Sequence, residues 1–128
     1  MRLLLDTHAL IWWAVDDTRL RKSERDAIAD RTSEIWVSAA SFWEISIKAS
    51  LGRIELDQEA LEQEARANNF LELPISWRHA EAAGSLPRHH DDPFDHMLIA
   101  QAQVEQLVLI TYDGAFREYD VPLAPKRG

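Results

Sequence analysis

The chain has 128 residues, 46% of them hydrophobic and 28% charged, enough to bury a core as one domain and too apolar for a disordered segment. Its net charge of −8, from 22 acidic and 14 basic residues, argues against a broad basic face for nucleic acid. No apolar run approaches the roughly 20 residues that span a bilayer, and Met1-Arg2-Leu3-Leu4-Leu5-Asp6 is too short for a signal-peptide core. With no cysteine there is neither a disulfide framework nor a thiolate metal site, so the default expectation is a cytoplasmic protein without a membrane partner.

In chain order, Leu3-Leu4-Leu5 reads as a short buried strand, followed by a helix through Ala9, Leu10, Trp12 and Trp13. A second helix is predicted over Ser23 to Arg31 with Ser23 as its N-cap. Ile35-Trp36-Val37 is the next strand. Ser38 is placed to cap a helix ending near Leu51-Gly52, where Gly52 suits a left-handed residue. A helix over Asp57–Ala67 precedes the strand Leu71-Glu72-Leu73, which Pro74 stops; Ser76 to Ala83 then reads as helix, closed by Gly84. Asp92-Pro93 combines an N-cap acid with proline at the first helical position, and that helix extends to about Gln106. Leu107–Ile110 is the last clear strand, and Val121-Pro122-Leu123 is a candidate edge strand. Strand–helix alternation without hairpin signals predicts an α/β fold, a parallel sheet wrapped by helices.

Four carboxylates stand out against this pattern. In an open parallel sheet, ligands bind beyond the carboxyl ends of the strands, where strand order reverses. Asp6 directly follows the first strand, and Asp113 follows Ile110 within Thr111-Tyr112-Asp113-Gly114, so both are expected at one crevice. Taken singly, Asp6 reads equally well as a helix N-cap and Asp113 as a turn residue. Asp95 shares a helix face with Leu98, Ile99 and Ala102, opposite His96, Gln103 and Gln106; an inward carboxylate needs a partner. Glu44 lies in a largely apolar helix, with Lys48 one turn on as an alternative ion-pair partner. Inward carboxylates held close together repel, and a divalent, oxygen-preferring cation relieves them: Mg2+ or Mn2+ rather than Zn2+. Such a site suits phosphodiester hydrolysis.

The remaining polar residues are less informative. His89 and His90 fall in a loop before Asp92 without helical ligand spacing, which suits a surface role or a phosphate contact beside the site better than metal ligation. Ser38, Ser41 and Ser76 lie at helix starts, and no Gly-x-Ser-x-Gly elbow is present. The five tryptophans mostly follow core spacing, with base stacking the weaker reading.

Two blocks, Leu3-Leu4-Leu5-Asp6-Thr7-His8 and Ser38-Ala39-Ala40-Ser41-Phe42-Trp43-Glu44-Ile45, resemble the opening motifs of PIN-domain proteins. Leu86-Pro87-Arg88-His89-His90-Asp91-Asp92-Pro93-Phe94-Asp95, Ala100-Gln101-Ala102 and Thr111-Tyr112-Asp113 resemble the later ones, in the same order across almost the whole chain. The combination is most similar to VapC-type toxins of bacterial toxin–antitoxin pairs. The resemblance implies a parallel sheet of about five strands between helical layers and a Mg2+- or Mn2+-dependent endoribonuclease acting on RNA. It also implies a homodimer and a cognate antitoxin. It carries the family's acids onto Asp6, Glu44, Asp95 and Asp113, with Asp6 and Asp95 foremost as metal contacts, and makes Thr111 the hydroxyl residue accompanying the last acid. His96 departs from the arginine common in similar sequences, which implies a weaker or pH-dependent phosphate contact. A phosphoacceptor receiver domain would need an acid pair after the first strand and a late lysine; a haloacid-dehalogenase-type phosphatase would need an Asp where His8 stands. A non-catalytic protein-binding module of the same fold is the remaining alternative.

Overall fold

The computed structural model describes residues 1–125. Five strands, β1 (Arg2–Leu5), β2 (Glu34–Ser38), β3 (Leu71–Leu73), β4 (Val108–Ile110) and β5 (Leu123–Ala124), form one all-parallel sheet in the order β3-β2-β1-β4-β5. Strand order reverses between β1 and β4, which opens the crevice at their carboxyl ends. The Asp6 N–H donates to the Ile110 carbonyl at 3.0 Å and pins the two strand ends together there.

Leu3, Leu4 and Leu5 have no solvent exposure, as expected of a central strand covered on both faces. Their alternation feeds two cores. Leu3 and Leu5 pack with residues of α1 (Thr7–Ala14), α2 (Lys22–Ala29), α3 (Ala39–Ser50) and α4 (Gln58–Ala67). Leu4 packs on the other face with Leu98, Ile99 and Ala102 of α6 (Pro93–Glu105). Packed against α6 lies α5 (Trp77–Gly84). The result is the expected α/β fold of three layers. No helix among the described residues is long and apolar enough to cross a membrane.

Several helix ends follow their cap chemistry. Ser38 accepts from the Ala40 N–H, Asp57 from Ala60, and Asp92 from both Phe94 and Asp95 ahead of Pro93 at the first turn. Gly52 takes φ +70°, the left-handed conformation that glycine adopts without a Cβ clash.

Other boundaries differ from the sequence reading. Ser23 is not the cap of α2, which begins a residue earlier. Burial of Leu20 and a hydrogen bond from the Arg21 N–H to the Tyr112 hydroxyl fix the entry, and the Ser23 hydroxyl donates to Glu24 instead. Gly84 is the last residue of α5 rather than its stop. Leu107 lies outside β4, its N–H donating to Ala102 to close α6. The edge strand starts at Leu123 because Pro122 has no N–H and serves only as acceptor for Leu109. Trp43 and Trp77 are not core residues, at 61% and 95% exposure.

Candidate active site

The sheet's carboxyl edge gathers acids from four separate segments. Asp6 follows β1, Glu44 lies in α3, Asp95 in the first turn of α6, and Asp113 follows β4. Their exposure is graded: Asp6 is 5% and Glu44 9% exposed, the Asp95 side chain 20%, and Asp113 is open to solvent.

At the ends of the adjacent strands β1 and β4, each acid also serves as a cap. Asp6 accepts from the Ala9 N–H at 2.7 Å and thereby starts α1. Asp113 accepts from the Ala115 N–H at 2.9 Å and starts a 3-10 helix, Gly114–Glu118, that the sequence reading missed. Thr111, 2% exposed, joins the two: its hydroxyl supports the Asp6 carboxylate and accepts from the Asp113 N–H at 3.1 Å. Burial raises the Asp6 pKa above its usual value; the Thr111 hydroxyl and the Ala9 N–H oppose that rise.

Glu44 is held at both oxygens. Oε1 accepts from the Thr7 hydroxyl at 2.7 Å, and Oε2 pairs with Lys48 Nζ at 3.1 Å. The ion-pair alternative and the inward acid are therefore both realised in one side chain.

Asp95 is different in kind. Its carboxylate accepts no hydrogen bond among the described residues; its nearest cationic candidate is His90 Nε2, 4.0 Å from Oδ2. Burial pushes its pKa up to about 8, reinforced by repulsion from Asp92, Asp113, Glu44 and Asp6. The sequence-predicted acids thus sense one another electrostatically through Asp95.

The histidines beside it form a packed group. His90 stacks on His96 with ring centres 5.0 Å apart and an 8° interplanar angle. His96 Nε2 bonds the Tyr119 hydroxyl at 3.1 Å, and that hydroxyl also accepts from the His89 N–H at 3.2 Å. His96 is half-buried in this stack rather than free on an outer face. The network of Ser38, Gln101, His79 and Glu105 behind the site also escaped the sequence reading. Ser38 donates to Gln101 at 2.6 Å, and His79 Nε2 meets Glu105 at 2.7 Å. They come from three distant segments, β2, α5 and α6, and no local motif links them.

The donor set fits a hard divalent cation by its chemistry. Among the described residues no three acids or histidines close into a ready-made cage. Mg2+ does not require one, since it retains several waters and takes one or two carboxylates. An Asp95 with no protein donor and repelled by four other acids is the kind of group such an ion would satisfy.

The PIN domain family model matches residues 3–122. Ribonuclease VapC22 of Mycobacterium tuberculosis is 30% identical over 122 residues, covering 94% of this chain and 93% of that protein. VapBC2 from Rickettsia felis, solved bound to a promoter DNA fragment, superposes with a TM-score of 0.69 at 15% identity, over 96% of this chain and 97% of that one. A toxin–antitoxin complex from Klebsiella pneumoniae gives 0.64 at 24% identity over 89% of each chain. Both share the three-layer fold, and the match in sequence extends over nearly the full length: the chain belongs to the PIN-domain family of nucleases.

Proposed function

We propose that this protein is a Mg2+- or Mn2+-dependent endoribonuclease, the toxin of a toxin–antitoxin pair. The observation that carries the reading is the gathering of Asp6, Glu44, Asp95 and Asp113 at one edge of the sheet, with no hydrogen-bond donor to the Asp95 carboxylate among the described residues; burial and the neighbouring acids push its pKa up to about 8. Structural acids are ordinarily satisfied by donors; Asp95 is not.

Asp6, Asp95 and Asp113 would hold the ion, with Glu44 at its margin. When bound, it supplies charge neutralisation at the phosphoryl oxygens and a lowered pKa for an attacking water. The chain's own residues prepare that chemistry. Thr111 fixes Asp6 and the Asp113 backbone together, so the two strand ends cannot drift apart. Thr7 and Lys48 hold Glu44 in one orientation. Asp95 keeps a proton on its carboxyl below about pH 8 and gives it up to take the ionised form that ligation requires. His96 supports the site through its stack on His90. The 30% identity to a ribonuclease supports RNA as the substrate, and the toxin–antitoxin complexes among its structural neighbours support a cognate antitoxin as partner. We assign the active form to a cytoplasmic homodimer.

The test is cleavage of RNA by purified protein in Mg2+ or Mn2+, abolished by EDTA and by Asp6→Asn. Cleavage that persists under chelation would refute the mechanism.

A further inference from the structure

We propose that His90 is a positioning residue for the metal site: its Nε2–H is the donor that the Asp95 carboxylate lacks, and it sets the orientation in which that carboxylate meets the divalent cation. The inference rests on the metal-dependent reading above and gives a role to a side chain outside the carboxylate cluster.

Backbone geometry sets the tautomer. His90 Nδ1 accepts from the Asp92 N–H at 3.3 Å, so that nitrogen carries no proton and Nε2–H is the donor end of the ring. Nε2 is buried and has no hydrogen-bond partner among the described residues. Asp95 Oδ2 stands 4.0 Å from it. A buried donor without a partner thus faces an acceptor without one, across a gap about 1 Å longer than a hydrogen bond. Carboxylates that ligate a metal are themselves hydrogen-bonded, and those partners orient the ligand. Closing the gap at one Asp95 oxygen leaves the other for the ion.

Packing holds the ring to that direction. The stack on His96 covers one face, Tyr119 meets the ring edge-on with centres 5.5 Å apart at 64°, and Phe116 lies tilted at 6.4 Å. Phe116 and Tyr119 are buried, and the Tyr119 hydroxyl bonds His96 Nε2, so two walls of the clamp are tied together. The same geometry argues against the ring as a ligand. The Nδ1 lone pair is taken by Asp92, Nε2 has none to give, and Mg2+ prefers oxygen donors.

The experiment titrates Mn2+ into purified wild type, His90→Phe, His90→Asn and His90→Gln, with free Mn2+ read from its EPR signal. Phenylalanine keeps a ring in the stack and removes the donor. Asparagine keeps an acceptor for the Asp92 N–H but falls short of Asp95, whereas the glutamine amide N–H reaches the Nε2 position. Loss of an outer-shell partner weakens metal binding about 10–100-fold, so Kd for Mn2+ should rise by that factor in His90→Phe and His90→Asn, while His90→Gln stays within about threefold of wild type. Melts in EDTA identify a variant that fails to fold; either donorless variant compared with glutamine then decides, and unfolding of all three overturns the proposal by making the ring structural. Unchanged Mn2+ affinity in the donorless variants also overturns it, as does equal weakening in His90→Gln. A raised KM for RNA at unchanged Mn2+ affinity would assign His90 to a phosphate and overturn it too. A wild type that binds Mn2+ but cuts no RNA defeats the nuclease reading alone, and the same affinities still decide His90; a wild type that binds no Mn2+ overturns both.

Discussion

Replacing Asp95 with asparagine in metal-free protein tests the electrostatic reasoning most directly. The carboxyl is carried from 3.8 to about 8 in the folded state. At 1.36 kcal/mol per tenfold change in proton affinity, the whole displacement corresponds to about 6 kcal/mol. The side chain keeps 20% exposure, and solvent screening brings the expected cost of the ionised form to about 2–3 kcal/mol. Below pH 4 the group is protonated in both folded and unfolded chains and costs nothing. Above pH 4 the folded protein holds a proton that the unfolded chain has released, so wild-type stability falls as pH rises until the folded carboxyl ionises. Above pH 8 the full cost is present. Asp95→Asn removes it, forfeiting only about 0.3–1 kcal/mol of helix-dipole interaction. In EDTA the variant should melt close to wild type at pH 4 and roughly 5–12 °C above it at pH 9. Saturating Mg2+ should reverse that order near neutral pH, because ligand at 100 times Kd stabilises wild type by about 2.7 kcal/mol and the variant loses most of this. Thermal melts followed by circular dichroism across pH, with and without metal, provide the measurement. A difference between the two proteins that stays flat from pH 4 to 9 in EDTA would refute the repulsion, and equal behaviour in Mg2+ and EDTA would refute the ligand role.

Asp6→Asn and Asp6→Ala should both abolish RNA cleavage, but the alanine variant should also lose about 0.5–2 kcal/mol of N-cap stability, seen as a lower Tm than the asparagine variant; identical melts would show that the Ala9 bond contributes nothing. Gln101→Ala removes a fully buried amide bonded to Ser38 and should cost about 2–4 kcal/mol in urea unfolding, whereas a loss below about 1 kcal/mol would mean the network is dispensable. Lys48→Met should leave Glu44 with the Thr7 hydroxyl alone and lower stability by about 1–3 kcal/mol; an unchanged Tm would class the pair with exposed ones of no net value. If the proposed toxin role holds, induced expression should arrest growth and co-expression of a cognate antitoxin should relieve it; a protein that cuts RNA yet is harmless without any partner would refute that role.

Periodicity and cap residues were sufficient for the architecture because they act locally. Leu3 to Leu5 reads as a short buried strand, and Asp92-Pro93 as a helix start, and both are found as such. The parallel sheet then followed from alternation, and with it the common edge of Asp6 and Asp113. What escaped depended on partners distant in sequence. Ser23 had the right chemistry for a cap, but Tyr112, far along the chain, had already set where α2 begins. Spacing put the tryptophans mostly in the core, yet Trp43 on α3 lies at the surface. His96 was read as facing away from the interior; its stack on His90 and its bond to Tyr119 needed the fold of the loop before α6.

Two of the acids at the sheet edge also serve as helix starts, and this changes what their identity says about descent. A descendant selected only to stay folded would still favour a short oxygen-bearing side chain at positions 6 and 113, with asparagine or serine adequate substitutes. Acid persistence there is partly architectural. Asp95 caps nothing and weakens the metal-free fold, so only selection for ion binding or chemistry would preserve it. Among relatives that have abandoned catalysis, residue 95 should drift first, toward amide or apolar side chains, while residues 6 and 113 linger.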